Sequence, residues 1–317
     1  MKKIIAILMA AMMLLSSAVA LGEAQYKVGV IQLVTHDALD AATQGFIDAL
    51  NAEMGEGVVE VDVQNAAGDP NTCATMANAF VAEEVNLIMA NATPALQAAT
   101  AATSDIPVLG TSVTEYGVAL GIDDFTGVVG GNVSGTSDLA PLDQQADMIT
   151  TLFPEAKNVG LLYCSAEANS QYQVDTVKAI LEGKGLTATL YPFSDSNDAA
   201  AVAQTACDAS DVIYVPTDNT VAANTGIVDN ICQPAGIPVI AGEAGICSGC
   251  GVATLSIDYY ELGRVTGMMA VKVLTGEANI SEMPIEYYPN PVAMYNPVIC
   301  GALGVTVPAD YVALDVE

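Results

Sequence analysis

Short apolar runs alternate with alanine-rich stretches of helical spacing along the chain from Tyr26 onward. This alternation is typical of βαβ units arranged around a parallel sheet. The first half is predicted to contain strands at Lys27–Val34, Val58–Asn65, Asn86–Ala90, Pro107–Thr111 and Gly127–Gly131. The intervening helices are predicted over Ala38–Leu50, Thr72–Ala82 and Pro94–Ala102.

The second half of the chain repeats this rhythm. Its strands are predicted at Val159–Cys164, Thr187–Tyr191, Val212–Pro216, Pro238–Ala241 and Ala253–Ile257. Two short motifs recur at the same offset of 131 positions, Val28-Gly29-Val30 as Val159-Gly160-Leu161 and Ile106-Pro107-Val108 as Ile237-Pro238-Val239. The sequence therefore predicts an α/β fold with two similar Rossmann-like lobes, each built on a parallel sheet and facing a central cleft.

The N-terminal segment has the pattern of a cleaved export signal. Lys2 and Lys3 precede an apolar core over Ile4–Leu15, and Ser16–Ala20 ends in the small residues that a signal peptidase accepts. Cleavage is expected after about Ala20. Because the first cysteine is Cys73, no cysteine is placed to carry a lipid anchor at the new N-terminus. A periplasmic or secreted location is expected.

Composition narrows the classes of partner. Asp and Glu number 37 against 8 Lys and Arg, which gives a formal net charge of −29. Such a chain repels polyanions, so nucleic acid is not an expected partner. With 52% hydrophobic and 14% charged residues, the chain can bury a large core and does not have the composition of a disordered protein.

In open α/β sheets a ligand binds beyond the carboxyl ends of the strands, which points to the residues that follow each predicted strand. In the first lobe these include Thr93, before a proline that suits a first helical turn, and the pair Thr111 and Ser112. Thr93 is expected to cap the helix that follows and to leave backbone N–H groups for an anion such as a carboxylate. Taken singly, each hydroxyl also fits an ordinary capping role.

The second lobe offers acidic and amide groups at the matching places. Its candidates are Glu167, Asn169, Asp218, Asn219, Glu243 and Asp258. Hydroxyls on one wall and carboxylates on the other suit a zwitterion. Glu243, set among small residues, is the predicted partner of a ligand ammonium, because a partly desolvated carboxylate gains most from such a pair. Helix capping remains open for each acid.

Catalytic and metal-binding motifs are weak. His36 is the only histidine and no Gly-x-Ser-x-Gly motif is present, so His36 is expected to line the cleft mouth or make a loop hydrogen bond. Among seven cysteines, Cys247 and Cys250 suggest a small surface disulfide or two free thiols. No zinc spacing is seen, and no metal, cofactor or catalytic residue is predicted.

Several stretches resemble the type I periplasmic-binding-protein superfamily, within it the ABC transporter substrate-binding branch that includes tryptophan- and tyrosine-type binders. They are His36-Asp37-Ala38-Leu39-Asp40, Gly131–Asp138, Ser165–Ser170, Pro216–Thr220, Ala241-Gly242-Glu243 and Ile257–Gly263. The resemblance implies a monomeric, non-enzymatic protein whose lobes close on a solute. It also implies delivery to a membrane permease powered by an ATPase. By the same resemblance, first-lobe hydroxyls hold an amino acid's carboxylate and second-lobe acids hold its ammonium.

The resemblance also implies three passages of the chain between lobes, near Asp138, Ser256 and Ser281. After a signal peptide at 1–20, the first lobe is expected to comprise residues 26–138 and 256–280, and the second 139–255 and 281–300. Residues 301–317 are left unassigned.

The expected ligand is an L-amino acid with an aromatic or large apolar side chain, with Tyr116, Tyr163 and Tyr172 as aromatic candidates. A sugar or nucleoside binder of the same fold is the alternative. The chain has no Trp and one Arg, Arg264, although sugar binders of this fold usually use stacking aromatics and arginine. A two-lobed amino-acid racemase is a further alternative, but it would need a thiol at a strand end in each lobe.

Overall fold

The computed structural model describes residues 24–316. The predicted export signal and its cleavage site after Ala20 lie outside the described residues. Within the described part of the chain, no helix is both long enough and apolar enough to cross a membrane.

The first half forms a parallel sheet at the predicted places. Its strands are β1 (Tyr26–Gln32), β2 (Val59–Asn65), β3 (Leu87–Asn91), β4 (Val108–Val113) and β5 (Val133–Ser137), in the spatial order β5-β4-β3-β1-β2. The helices between them are Asp37–Met54, Pro70–Ala82, Thr93–Ala102 and Tyr116–Leu120. β3 and β4 are buried along their whole length, as strands covered by helices on both faces should be.

The second half forms a second parallel sheet. Its strands are β6 (Asn158–Cys164), β7 (Thr187–Phe193), β8 (Val212–Val215), β9 (Val239–Ala241) and β10 (Ala253–Ser256), in the order β10-β9-β8-β6-β7. The helices of this half are Leu142–Leu152, Ala168–Gly183, Ser196–Ala209, Asn219–Ala222, Thr225–Ala235 and Ala244–Cys250. This order repeats that of the first sheet, and the motifs separated by 131 positions lie within β1 and β6 and at the starts of β4 and β9. The predicted fold class is confirmed.

One predicted strand is displaced. The glycine-rich stretch Gly127–Gly131 is not a strand, and β5 begins only at Val133. Gly127, Gly130 and Gly131 have φ angles of 94°, 82° and 59°, in the region that a β-strand does not use. The glycines therefore form a turn that leads into β5, so that Asp138 follows directly after the strand.

The chain passes between the sheets three times. The first passage joins β5 to the helix Leu142–Leu152, which packs on β9 and β10. The second follows β10, where the helix Tyr259–Leu274 returns to pack along the helix Asp37–Met54.

The third passage lies later than predicted. Residues Glu286–Tyr287 form β11, a parallel edge strand beside β5, and only β12 (Val292–Tyr295) joins the second sheet, antiparallel to β10. The Oγ of Ser134 donates to the carbonyl of Met283 at 3.1 Å, which holds this segment on the first lobe. The passage near Ser281 is therefore corrected to the residues between Tyr287 and Val292. The helix Pro297–Leu303 follows, and β13 (Val312–Ala313) pairs with β12, so the C-terminal segment lies on the second sheet.

Candidate functional site

The two lobes meet around a small cavity of about 10 Å³, the space of a single water molecule, at the carboxyl ends of their strands. Its walls are formed by His36, Leu39, Asp138, Thr217, Asp218, Asn219, Ala222, Glu243 and Tyr259. Two wider openings flank it. One is lined by Pro94, Glu167 and Asn219 among others, and the other by Asp37, Glu243, Asp258 and Tyr288.

Two strained backbone positions lie at strand ends of the first lobe. Ala92 precedes the helix Thr93–Ala102 with φ 91°, and Ser112 ends the bulged part of β4 with φ 53°. Residues other than glycine adopt such angles only at a cost of about 1–3 kcal/mol, and they cluster at functional sites. Because Asn91 pairs with Thr111, these two positions lie on neighbouring strand ends.

The hydroxyls beside these positions have no hydrogen-bond partner. The Oγ1 of Thr93 and the Oγ of Ser112 are both buried and unpaired. The prediction that Thr93 caps its helix is wrong, since Ala92 is the capping residue and no side chain caps the first turn. Neither hydroxyl is among the residues that line the cavity, but Pro94 lines the adjoining opening. Buried hydroxyls without partners are costly, so both remain candidates for a ligand's carboxylate.

Thr111 was predicted to face the cleft, and its side chain does not. Its Oγ1 lies 3.2 Å from the Oγ1 of Thr136, which in turn lies 2.8 Å from the Oγ1 of Thr266. The hydroxyl of Thr111 therefore belongs to a chain of hydroxyls inside the first lobe.

Two of the predicted acids hold the second lobe together. Asp218 accepts hydrogen bonds from the backbone N–H of Cys164 at 2.7 Å and of Val221 at 2.9 Å. Glu167 accepts from the N–H and Oγ1 of Thr220 and from the N–H and Nδ2 of Asn219. Burial raises the pKa of Asp218 to about 7, and the nearby charge of Glu167 adds to the rise. Asp218 and Glu167 therefore stabilise the second lobe in the absence of a ligand.

Glu243 also caps a helix. Its two carboxylate oxygens accept from the N–H groups of Gly245 and Ile246 at 2.6 and 2.5 Å, at the start of the helix Ala244–Cys250. Its side chain is buried and lines the cavity. Burial raises the pKa of Glu243, and the nearby His36 opposes this rise. Asp258, by contrast, is an exposed cap that accepts from the N–H of Glu261 and lines only the outer opening.

The two predicted amides lie beside Glu167. Asn169 donates through Nδ2 to the carbonyl of Thr217 at 3.1 Å, and its buried Oδ1 has no partner. Asn219 donates to Glu167 and, through Oδ1, lies 3.2 Å from the Nε2 of His36 in the other lobe. His36 thus lies at the junction of the lobes.

Asp138 and Tyr259 line the cavity but are not among the predicted site residues. Asp138 is 4% exposed, its Oδ2 accepts from the Oη of Tyr259 at 3.0 Å, and its Oδ1 has no partner. Burial raises its pKa to about 6. The correct position of β5 would have identified Asp138 as a site residue. β5 ends at Ser137, directly before Asp138, whereas the strand predicted at Gly127–Gly131 ends well before it.

The three tyrosines predicted to receive an aromatic ligand lie elsewhere. Tyr116 is buried in the first-lobe core and donates to the carbonyl of Thr136, and Tyr163 packs in the second-lobe core. Tyr172 lines a separate surface depression with Val118. Tyr259 is the tyrosine found in the cavity wall.

The cysteines form no surface pair. All seven are buried free thiols, including Cys247 and Cys250, so of the two predicted alternatives the structure has the pair of free thiols and not the surface disulfide. The Sγ atoms of Cys207 and Cys232 lie 3.1 Å apart inside the second lobe. Across residues 24–316, no cluster of three or more His, Cys, Asp or Glu side chains is arranged to hold a metal ion.

Comparisons with known proteins place this geometry in context. The family model described as ABC transporter substrate binding protein matches residues 27–315. A tyrosine-binding protein of Clostridioides difficile is 36% identical over 264 residues, which cover 82% of this chain and 76% of that protein.

Two solved structures are also similar over 92% of this chain. An ABC domain from Streptococcus pneumonia in complex with L-Trp is 34% identical, with 99% of that chain covered and a TM-score of 0.87. A ligand-free, open substrate binding protein from Clostridium difficile is 36% identical, with 100% of that chain covered and a TM-score of 0.70.

Proposed function

Because the chain belongs to the ABC transporter substrate-binding protein family, we propose that it binds a free aromatic L-amino acid, tyrosine or tryptophan, between its lobes. Members of this family bind substrates and do not transform them. The racemase alternative is thereby set aside. The observation that carries the proposal is the likeness to a tyrosine-binding relative and to a structure solved with L-Trp, at 36% and 34% identity.

The arrangement of the lobes supports capture by closure. The two solved relatives have nearly equal identity to this chain, yet the L-Trp complex superposes with a TM-score of 0.87 and the open, ligand-free protein with 0.70. The contact between His36 and Asn219 joins the lobes directly. We take the structure to represent the closed arrangement, in which a bound amino acid would be shielded from water.

The polar groups of the site support a zwitterionic ligand. Asp138, Asp218 and Glu243 line the cavity, and His36 is the one basic side chain among its lining residues. A neutral sugar would add no cation to this acidic wall, whereas an amino acid brings an ammonium group. The buried, unpaired hydroxyls of Thr93 and Ser112 offer donors for its carboxylate.

The family match supports a role in transport. We propose that the protein is exported by the signal at 1–20, acts as a monomer outside the cytoplasm, and passes its amino acid to a membrane permease driven by an ATPase. The export step has a simple test, because mass spectrometry of the mature protein should find Leu21 as the first residue.

Isothermal titration calorimetry tests the ligand class. Tyrosine, tryptophan and phenylalanine should bind at micromolar concentration or below, branched aliphatic amino acids more weakly, and a pentose and a nucleoside not at all. Binding should also raise the melting temperature, because a ligand that binds only the folded state stabilises it by mass action. Heat with the pentose and none with the amino acids would replace this proposal with the sugar alternative.

A further inference from the structure

We propose that the Oδ1 of Asp138 receives the ammonium group of the bound amino acid, while Glu243 and Asp218 act as capping carboxylates that shape the site. This inference rests on the proposed function and assigns a binding role to a residue on the first passage between the lobes. It reverses the expectation that the second lobe supplies the ammonium partner.

The first argument is the state of the two oxygens of Asp138. Oδ2 is occupied by the Oη of Tyr259 at 3.0 Å, which fixes the orientation of the carboxyl group. Oδ1 is buried and has no hydrogen-bond partner within 3.5 Å, although the Thr114 side chain lies beside the carboxyl group, and Asp138 lines the cavity. A buried carboxylate oxygen without a donor is costly, and a ligand N–H would satisfy it.

The competing acids differ in this respect. Both oxygens of Glu243 accept backbone N–H groups, and so do both oxygens of Asp218. Helix-capping carboxylates are already stabilised by these donors and by the positive end of the helix. An ammonium would therefore gain less from either of them than from the open oxygen of Asp138.

The charges around Asp138 point the same way. Glu243 and Asp218 line the same cavity. Thr114 and Tyr259 lie beside the carboxyl group of Asp138, and the charge of Asp138 also acts on the nearby Tyr116. None of these groups is a cation. His36, the one basic residue of the lining, makes its hydrogen-bonding contact with Asn219. The cation that would balance Asp138 has to come with the ligand.

The position of Asp138 also connects binding to closure. Asp138 follows β5 on the first passage between the lobes, and Tyr259 begins the helix after the second passage. The hydrogen bond between them ties the two passages together. An ammonium on Oδ1 would thus sit at the hinge, where it can favour one arrangement of both connections.

The test compares Asp138→Asn with the wild-type protein by calorimetry, using tyrosine and 3-(4-hydroxyphenyl)propanoate, which lacks the ammonium group. Removing one partner of a buried charged pair should weaken tyrosine binding by about 30-fold or more. Affinity for the deamino analogue, already weak, should change less than about threefold. This difference between ligands separates loss of the ammonium contact from general damage to the site.

Matched controls use the same carboxyl-to-amide change. Asp229→Asn alters a carboxyl group that also has a buried, unpaired oxygen but lies in the helix Thr225–Ala235, outside the cavity lining, and it should leave affinity unchanged. Glu243→Gln should weaken tyrosine binding less than Asp138→Asn does. If Asp138→Asn does not fold, Asp138→Ser removes the charge and keeps a small polar side chain at this position.

The outcomes are distinguishable. Unchanged tyrosine affinity in Asp138→Asn together with a 30-fold loss in Glu243→Gln overturns this inference and leaves the proposed function standing. If the wild-type protein binds a non-aromatic amino acid, the aromatic preference fails, and the same comparison is made with that amino acid and its deamino analogue. If it binds only a sugar, both the function and the ammonium contact are refuted.

Discussion

The Nε2 of His36 and the Oδ1 of Asn219 lie 3.2 Å apart, across the junction of the two lobes. His36 precedes the helix Asp37–Met54 of the first lobe, and Asn219 begins a short helix of the second. The Nδ2 of Asn219 is held by Glu167 at 2.6 Å, so its oxygen is presented toward His36. This contact can exist only when the lobes are close together, which makes it a probe of closure.

His36→Ala should weaken ligand binding without destabilising either lobe. A hydrogen bond of this kind contributes about 0.5–1.5 kcal/mol, which corresponds to roughly 2- to 13-fold in affinity. Calorimetry with tyrosine measures the loss, and His36→Gln, which can still reach Asn219, should recover part of it. Unaltered affinity in His36→Ala would show that the contact does not contribute to the liganded state.

Glu243→Ala should lower the stability of the unliganded protein. The carboxylate caps the helix Ala244–Cys250 through two backbone N–H groups within its own lobe, so these bonds do not depend on closure. Loss of such a cap costs about 0.5–2 kcal/mol. Urea unfolding of the apo protein measures it, with the exposed cap Asp258→Ala as a comparison. A urea unfolding curve identical to that of the wild-type protein would mean that the cap does not stabilise the folded state.

The fold was largely predictable because alternation of apolar runs and helical stretches is a local signal. Each of β1–β4 and β6–β10 falls within two residues of its predicted bounds. β5 was misplaced because the two valines within Gly127–Gly131 have the pattern of a strand. The glycines around them adopt positive φ angles, which a strand does not use. The third passage was misplaced because it depends on the pairing of β11 with β5, in which Glu286 lies opposite Thr136. This is a long-range contact that a local sequence pattern does not indicate.

The site was predictable in place and less so in role. Strand ends located His36, Asp218, Asn219 and Glu243, all of which line the cavity. The sequence could not show that Asp218 and Glu243 each accept backbone N–H groups through both carboxylate oxygens. Helix capping and ligand binding use the same residue types at the same positions. Whether the Thr111 side chain faces the cleft or the core depends on a β-bulge in β4, which shifts the register there.

Gly263→Ala should destabilise the first lobe. The helices Asp37–Met54 and Tyr259–Leu274 touch through their backbones, and a Cβ on Gly263 would overlap the carbonyl of Ala42. Forcing extra volume into such a contact costs about 1–3 kcal/mol or more. Gly301→Ala is the matched control, since that helical position has open space and should be neutral or slightly stabilising. Equal unfolding midpoints in urea for the two variants would contradict the close packing.

The stability of the apo protein should rise as the pH falls from about 8 to about 5. The pKa of Asp218 is about 7 in the folded protein, against an ordinary value of 3.8, so the folded state holds a proton that the unfolded chain has released. The stabilisation from this proton is complete below about 3.8 and is lost as the pH rises through about 7.

Asp218→Asn isolates this contribution, because an amide can still accept one backbone N–H but no longer titrates. Urea unfolding at several pH values between 5 and 8 should give a flatter dependence for the variant than for the wild-type protein. This range avoids Asp69 and Asp211, whose pKa values are lowered by backbone hydrogen bonds and which act in the opposite direction at lower pH. Parallel curves for the two proteins would assign the pH dependence to other groups.

Ser112→Gly should stabilise the apo protein and weaken ligand binding. The φ of 53° strains a serine and not a glycine, so relief of strain outweighs the greater flexibility of the unfolded chain by about 0.5–1 kcal/mol. The variant also removes the unpaired Oγ, which we place on the ligand's carboxylate. A hydrogen bond to a charged group contributes about 1.5–3 kcal/mol, so affinity for tyrosine should fall roughly 10- to 150-fold.

Ser112→Ala separates the two effects, because alanine keeps the strained φ and loses the hydroxyl. Its affinity should fall as far as that of Ser112→Gly, whereas its apo melting temperature should lie below that of the glycine variant. Calorimetry and thermal unfolding on the same samples give both quantities. If both variants bind tyrosine as tightly as wild type, the hydroxyl of Ser112 does not reach the carboxylate, and the strain at this position serves only to shape the end of β4.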